Sequence, residues 1–303
     1  MARPSRVASE PLAARIAPMV FVVLWSTGFV VARYGTDDAG PLTFLAIRLT
    51  LAGAALLVYA WITKAPTLDR RAVKWAAVSG LGMHAVYLGG VFLAISWGMP
   101  SGVGALIAGL HPVITTVTAR FLLSERLSPW QWFGVALGFS GVVVVVVDHM
   151  RGGTGDISTG ALIAAGISVL GMVFGTLVQR RHGQGMPLLR GTVVQYSASA
   201  MVLWVGAVVH ERIDFTVTAR SMFALAWAVI VLSIAAVLIM LWLLQHHAAA
   251  KVSSLFFLTP ALSTIEGAIL FDERLGALAV VGLVAALIGV SLTLRAPVVP
   301  PSD

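Results

Sequence analysis

The chain has 303 residues, of which 58% are hydrophobic and only 11% are charged. A soluble globular protein carries roughly 25% charged residues, so this composition excludes that class. The absence of cysteine excludes disulfides and thiol chemistry but leaves the redox compartment open. The apolar runs are about 18 to 25 residues long, enough for helices to cross roughly 30 Å of hydrocarbon. The sequence therefore indicates a polytopic membrane protein.

Ten membrane-spanning helices are predicted, because backbone in lipid must satisfy its hydrogen bonds within the segment. The first apolar run follows Arg3, Arg6 and Arg15, as in a signal peptide. It continues past any short h-region and has no clear small-x-small cleavage site, so it is expected to stay as a helix. The predicted helices cover residues 16–34, 41–61, 74–95, 101–121, 130–147, 158–179, 187–209, 219–244, 249–271 and 276–295.

The distribution of basic residues predicts the orientation of these helices. If both termini lie in the cytoplasm, fourteen of the twenty Lys and Arg residues fall at cytoplasmic ends, five fall at outer ends, and Arg48 lies within the second span. This is the bias of the positive-inside rule. The net charge of +7 is thereby explained by topology, so no nucleic acid partner is expected.

The chain repeats itself after about half its length. The stretch FLLSERLSPWQWFGV, residues 121–135, returns as ILFDERLGALAVVGL, residues 269–283. Because each half has an odd number of helices, the second half enters the membrane upside down. Inverted repeats are typical of transporters that work by alternating access. The predicted units are 1–147 and 158–295, followed by a short cytoplasmic tail, 296–303.

Two features occur in both halves of the sequence, a proline within a span and a charged turn after it. Pro112 and Pro260 lie near the middle of spans 4 and 9, where each is expected to kink its helix and either to mark a site between the halves or to serve packing alone. The turns Glu125-Arg126 and Glu273-Arg274 are interpreted as charged corners at the interface, with a gate or a coupling role as the alternative.

Capping and small residues predict how span 5 begins and packs. Ser128 is expected to cap the helix, with Pro129 at its first position and Gln131 completing a capping box. Small residues let helix backbones approach closely, so two glycine faces are predicted, either packed within the chain or joining a homodimer through helices 5 and 10. These faces consist of Gly134, Gly138 and Gly141 in span 5, and Gly282, Ala286 and Gly289 in span 10.

Polar and aromatic residues within the spans predict a central cavity, because lipid makes polar groups expensive. The expected lining is Trp25, Thr27, His84, Tyr87, Met172, Trp242, Ser253 and Phe256. The alternative interpretations are structural. Single hydroxyls can hydrogen-bond to their own helix backbone, a lone histidine can serve packing, and the Glu266 side chain can extend to solvent. If coupled to protons, transport would use His84 or Glu266. Arg48 is expected to partner loop carbonyls or a carboxylate.

Such a cavity suits a small solute with an apolar or aromatic body and polar ends. It lacks the dense charge that a nucleotide or sugar phosphate would need. No Walker A sequence is present, so ATP hydrolysis is not expected, and neither a cofactor nor a metal is predicted.

The plan of two five-helix repeats, LWSTGFVVARYG in span 1, RLTLAGAALL in span 2 and the twice-used corner resemble the drug/metabolite transporter superfamily, EamA type. The resemblance covers nearly the whole chain and is strongest to the aromatic amino acid exporters. It implies an all-α bundle whose cavity is built mainly by helices 1, 3, 4, 6, 8 and 9. It also implies export of small metabolites across the bacterial inner membrane.

Three other functions compete with an amino acid exporter. An exporter of nucleosides or organic cations would share the fold. An intramembrane enzyme would use His84, His111 or Glu266, but these fall on different helices without recognisable catalytic spacing. A channel would need a continuous polar stripe, and the sequence shows none.

Overall fold

The structure is a computed structural model that describes residues 12–123, 128–151, 157–246, 256, 258–271, 273 and 276–295. These residues form helices and no strand, apart from an isolated bridge between Ala39 and Phe215. We number the helices α1 to α10 in chain order. The first five are α1 Leu12–Thr36, α2 Pro41–Ile62, α3 Arg70–Ser96, α4 in two parts (α4a Ser101–Ala108 and α4b His111–Leu123) and α5 Pro129–Arg151.

The remaining helices begin with α6 Thr159–His182 and α7 Leu188–Glu211. Helix α8 consists of three consecutive segments, Ala219–Ala226, Trp227–Ala235 and Ala236–His246, and it is followed by α9 Leu258–Phe271 and α10 Ala277–Arg295. By length and composition, α1 to α8 provide 8 candidate membrane spans, and α9 and α10 are shorter apolar helices. An all-helical membrane protein is confirmed. Ten spans, the inverted repeat and cytoplasmic termini stay predictions.

Helix α4 is interrupted in mid-span. The chain turns at Gly109 and Leu110, and Pro112 follows within the first turn of α4b. This interruption is the physical effect expected of a proline, which lacks the backbone N–H. A Cβ on Gly109 would lie 2.8 Å from Pro260 Cγ, so the ring of the second proline packs against the interruption. Pro260 itself lies in the first turn of α9 as described, not in the middle of a described helix.

Three other helices contain π-helical segments. They cover Leu81–Val86 in α3, Ala207–Glu211 at the end of α7 and Trp227–Ala235 in α8. A π-helical turn widens the helix and shifts the side chains that follow it, and such turns are frequent at functional sites. The segment in α3 contains His84, which takes part in the polar wall described below, and the segment in α8 contains Ser233, which accepts a hydrogen bond from Arg48.

Helices α5 and α10 pack against each other through the predicted glycine faces. A Cβ on Gly134 would lie 2.7 Å from the carbonyl oxygen of Gly289, and one on Gly282 would lie 2.7 Å from that of Gly141. The glycine faces therefore join two helices of one chain, which is the first of the two predicted alternatives. A homodimer through α5 and α10 stays a prediction that concerns their other faces.

Acidic and hydroxyl side chains cap several helices. At α5 the Ser128 N–H donates to Gln131 Oε1 (2.8 Å) and the Gln131 N–H donates to Ser128 Oγ (3.3 Å), which confirms the capping box. At α4a the Glu273 carboxylate accepts from the backbone N–H groups of Ser101 (2.9 Å) and Gly102 (3.3 Å). This contact agrees with a structural corner. Glu125, Arg126 and Arg274 lie outside the described residues.

A second set of polar contacts joins the loop after α1 to the loop after α7, on the predicted outer side. The Glu211 carboxylate accepts from the N–H groups of Leu42 (2.9 Å) and Thr43 (2.7 Å), at the start of α2. Asp38 accepts two hydrogen bonds from Arg220 (2.8 and 2.7 Å) and one from Thr218 Oγ1 (2.7 Å). We call these residues and the bridge at Ala39 the outer cluster.

Candidate functional site

A cavity of about 550 Å³ lies between the helices. This volume is within the range of roughly 300–1,000 Å³ that is typical of small-molecule sites. The walls come from α1, α2, α3, α4b, α6, α7 and α8, together with Met186 and Phe256. Of the described residues, none from α5, α9 or α10 lines it. The pair of α5 and α10 thus stands outside the cavity, as the resemblance implies. The lining differs from the implied set of helices 1, 3, 4, 6, 8 and 9, because α2 and α7 contribute and the described part of α9 does not.

Most of the residues predicted to line the cavity do so. Trp25 lines it from α1, His84 and Tyr87 from α3, and Met172 from α6, and both Phe256 and Pro112 contribute. The Trp25 ring packs edge-on against Phe256, with 5.2 Å between the ring centroids, and tilted against Phe21 at 5.3 Å. Trp25 and Phe256 form an apolar part of the lining, which we call the aromatic end, and the buried Phe21 packs against both.

Four predicted residues lie elsewhere or fall outside the described residues. Thr27 is not part of the lining, because its side of α1 faces α8, where its Oγ1 accepts from Trp227 Nε1 at 3.0 Å. Trp242 packs beside the buried cluster of Phe21, Val22 and Leu243 and is not part of the lining. Pro260 lines a small pocket beside Gly109, away from the cavity. Ser253 lies outside the described residues.

A polar wall forms another part of the cavity lining. Gln195 Nε2 on α7 donates to Ser79 Oγ (3.2 Å) and to Gln179 Oε1 (3.0 Å). His84 Nε2 lies 3.4 Å from Gln195 Oε1, and its ring meets Tyr196 edge-on with 4.9 Å between centroids. This network joins α3, α6 and α7 and holds the imidazole of His84 in one orientation.

The close packing of α3 against α6 and α7 brings the residues of the polar wall together. A Cβ on Gly80 would lie 2.7 Å from Gln195 Cβ, and one on Gly82 would lie 2.7 Å from the carbonyl oxygen of Gly171. The absence of side chains at these glycines lets α3 approach both α6 and α7, so that polar groups on the three helices come within hydrogen-bonding reach.

The remaining histidine of the lining, His111, begins α4b. Its Nδ1 lies 3.1 Å from the carbonyl oxygen of Ala108, which is the end of α4a. The side chain therefore satisfies a backbone group that the interruption of α4 leaves without its helical partner. This contact gives His111 a structural role at the cavity wall.

Arg48 is the functional candidate that sequence reasoning placed least well. It is buried in α2 with 7% of its surface exposed, it lines the cavity, and its Nε donates to Ser233 Oγ at 2.8 Å. Neither loop carbonyls nor a carboxylate accepts from it among the described residues. The position of Arg48 in the middle of a membrane helix indicates a functional residue, because charged side chains are costly in lipid and are rare there without a function.

Glu266 is placed next to α1 and not in the cavity. Its Oε1 lies 2.5 Å from Ser26 Oγ, and Ser26 Oγ also lies 2.9 Å from the carbonyl oxygen of Val23. The other oxygen, Oε2, is buried and has no partner among the described residues. Ser263 Oγ donates to the carbonyl oxygen of Ser26 at 2.9 Å, so α9 and α1 are joined twice at this level.

Comparison with known proteins agrees with this architecture. A solved crystal structure superimposes with a TM-score of 0.63 at 18% identity, covering 92% of this chain and 96% of that chain, which shows a shared fold. The uncharacterized inner membrane transporter YedA of Escherichia coli (strain K12) is 24% identical over 253 residues, covering 84% of this chain and 81% of that protein.

Two further relatives have more specific names. A probable amino-acid metabolite efflux pump of Escherichia coli (strain K12) is 24% identical over 285 residues, covering 90% of this chain and 92% of that protein. A probable terminal-alkyne amino-acid exporter of Streptantibioticus cattleyicolor is 28% identical over 199 residues, covering 63% of this chain and 61% of that protein.

The model of the EamA-like transporter family matches residues 14–147 and again residues 159–295. Together the two matches cover most of the chain. The closer resemblance to the aromatic amino acid exporters stays a prediction. The resemblance to the EamA type is confirmed, and the chain belongs to the EamA-like transporter family.

Proposed function

We propose that the protein is a secondary exporter that moves aromatic or other apolar amino acids out of the cytoplasm across the bacterial inner membrane. The observation that carries this proposal is the central cavity, which combines an aromatic end around Trp25 and Phe256 with a polar wall around His84 and Gln195. A solute with an apolar side chain and a polar backbone group matches both parts. The names of two relatives, an amino-acid metabolite efflux pump and an amino-acid exporter, support the same class.

We expect transport to proceed by alternating access. The family model matches the two halves separately, which supports an internal repeat. The lining of the cavity reaches Arg180 and Met186, at the predicted cytoplasmic end of α6, and includes no residue of the outer cluster. These positions support a state that faces the cytoplasm, closed by the outer cluster. The interruption of α4 against Pro260 provides a hinge between the halves.

Coupling to protons is assigned to Glu266 in preference to His84. A serine hydroxyl has a single hydrogen to donate. When Ser26 donates it to Glu266, the glutamate can be ionised. When Ser26 donates it to the carbonyl oxygen of Val23, the contact with Glu266 is a hydrogen bond only if the glutamate carries the proton and donates. The pair of Ser26 and Glu266 is therefore suited to hold a proton between α1 and α9. His84 already has Gln195 and Tyr196 as neighbours and fits a solute-binding role.

The competing solute classes are distinguished by the charge of the lining. Its charged members are Arg48 and Arg180, and the lining contains no Asp or Glu among the described residues. A cavity of this kind disfavours organic cations. Nucleosides are neutral and fit the volume, so they belong in the test. An intramembrane enzyme is disfavoured because His84, His111 and Glu266 each bond a different partner and do not meet.

Counterflow in liposomes tests the proposal. Purified protein is reconstituted with unlabelled phenylalanine inside, and labelled phenylalanine is added outside without ATP. We expect transient accumulation of label that tryptophan and tyrosine compete away, while a nucleoside and a quaternary ammonium compound do not. Competition by the nucleoside or the cation instead, or no accumulation by folded protein, would contradict the amino acid assignment.

A further inference from the structure

We propose that Arg48 is the anion anchor of the cavity and binds the carboxylate of the transported solute. The inference rests on the proposed function and narrows it, because it identifies the part of the solute that the protein recognises. The solute class becomes organic carboxylates with an apolar body, and the amino group becomes the less important end.

The first step is the hydrogen-bonding capacity of Arg48. A guanidinium has five N–H donors in a rigid planar fork. In the described part of the chain a single partner accepts from it, Ser233 Oγ, at 2.8 Å from Nε. The two terminal nitrogens of Arg48 have no hydrogen-bond partner among the described residues, but they are not buried. Because the residue lines the cavity, these nitrogens face the cavity.

The second step is how firmly the guanidinium is held. Ser233 lies in the π-helical segment of α8, and its own carbonyl oxygen lies 3.4 Å from the Tyr196 hydroxyl. Arg48 is therefore fixed at Nε by one wall while the opposite edge of its fork stays available. A fork fixed in this way has lost its rotational freedom before a ligand arrives, which favours a bidentate contact with a planar carboxylate.

The third step is the charge of the surroundings. Arg48 and Arg180 line the cavity, and no acidic side chain in the described part of the chain joins them there. Three described carboxylates have other partners. Glu266 is hydrogen-bonded to Ser26, and Glu211 and Glu273 cap helices. A buried cation without an anion is costly, and an anionic group of the solute would relieve that cost.

The fourth step is what the cavity offers to an amino group. No carboxylate among the described lining residues can pair with an ammonium. The acceptors that remain are neutral, such as Gln179 and Gln195, and these already accept or donate within their own network. The carboxylate should therefore contribute more to binding than the ammonium does.

Four ligands of nearly equal size separate these contributions. They are phenylalanine, 3-phenylpropionate, phenethylamine and phenylalanine amide, and their binding to the detergent-solubilised full chain is measured by titration calorimetry. A hydrogen-bonded charge pair predicts that the two carboxylates bind about 10- to 100-fold more tightly than the two compounds without one. We expect Arg48→Gln to remove that preference and Arg48→Lys to retain part of it, because lysine keeps the charge but loses the fork.

Three further variants make the result specific to Arg48. Arg71→Gln removes a charge from the exposed start of α3 and should leave the preference intact. Arg180→Gln tests the other arginine of the lining and should reduce the preference less than Arg48→Gln does. Ser233→Ala removes only the partner of Nε, so it should weaken carboxylate binding even if Arg48→Gln fails to fold.

The results that would overturn the anchor are distinct from those that would overturn the transport function. Equal binding of 3-phenylpropionate and phenethylamine by the native protein would overturn it, as would a preference that folded Arg48→Gln retains or that only Arg180→Gln removes. If carboxylates bind through Arg48 but labelled phenylalanine does not move in liposomes, the proposed function fails while the anchor stands.

Discussion

Trp25 and Tyr87 line the cavity from two different helices, and each contributes a large aromatic surface to its wall. We expect Trp25→Ala and Tyr87→Ala each to lower the rate of phenylalanine transport about tenfold, because each removes apolar contact with the solute. Initial rates of counterflow measure this effect. Trp61→Ala is the matched control, since Trp61 is 77% exposed at the end of α2. Unchanged rates for both cavity variants would refute the assignment of the cavity.

Glu266 provides a second test by substitution. We expect Glu266→Gln to keep the contact with Ser26, because an amide can donate to the hydroxyl, and therefore to fold and transport while losing any stimulation by a pH gradient. His84→Gln should weaken phenylalanine binding and keep that stimulation. Counterflow with and without a pH gradient measures both. A pH response that disappears in His84→Gln and survives in Glu266→Gln would reverse the assignment.

Most of the residues that the sequence predicted for the lining do line the cavity, and the failures have physical reasons. His84 and Tyr87 stand out because lipid disfavours polar groups deep in apolar runs, whereas a cavity accommodates them. Trp25 stands out because tryptophan otherwise favours the membrane interface, whereas Met172 is apolar and has no such signal. Thr27 lies on the wrong side of its helix, and that side depends on how α1 and α8 pack. The partner of Arg48 could not be predicted, because the sequence contains many hydroxyl side chains that could accept from it. The hydroxyl of Ser233 is placed by the π-helical segment of α8, which the sequence does not reveal.

Helices α5 and α10 offer a test at the scale of elements, with a matched pair of glycines one turn apart. A Cβ on Gly134 would lie 2.7 Å from the backbone of Gly289, whereas one on Gly138 would lie 3.8 Å from its nearest neighbour. We expect Gly134→Ala to cost about 1–3 kcal/mol of unfolding free energy through overpacking. Gly138→Ala should be neutral or slightly stabilising, because alanine favours a helix.

The thermal unfolding of both glycine variants in detergent measures this difference. Equal melting temperatures would show that the two helices do not approach as closely as the structure has them. The sequence predicted these glycine faces well but left open whether they pack within or between chains. Spacing along a helix identifies a face, and only the packed helix bundle shows what covers it.

At the scale of the whole molecule, the outer cluster links the loops of the two halves. The hydrogen bonds from Arg220 and Thr218 lower the pKa of Asp38 from 3.8 to about 2. The contact is therefore fully present above the ordinary pKa and is lost only as the pH falls through about 2. We expect Asp38→Asn to lower the melting temperature by the same amount at about pH 6 and about pH 8.

Asp37→Asn is the comparison for this variant, because Asp37 makes a single contact with Arg220, at 3.1 Å. Its effect on the melting temperature should be smaller. A destabilisation by Asp38→Asn that vanishes at about pH 6 would mean that the carboxylate is not paired as the structure shows.

We expect one cavity to open to the two sides of the membrane in turn. The chain has no cysteine, so Met186→Cys and Phe29→Cys place single thiols near the predicted cytoplasmic and outer ends of the cavity. Labelling of sealed vesicles with an impermeant maleimide is the most direct measurement. We predict that phenylalanine on both sides makes the thiol of Phe29→Cys reactive from outside while that of Met186→Cys becomes less reactive from inside. If each variant were labelled from both sides of the membrane regardless of phenylalanine, or if phenylalanine changed the labelling of neither variant, alternating access would be contradicted.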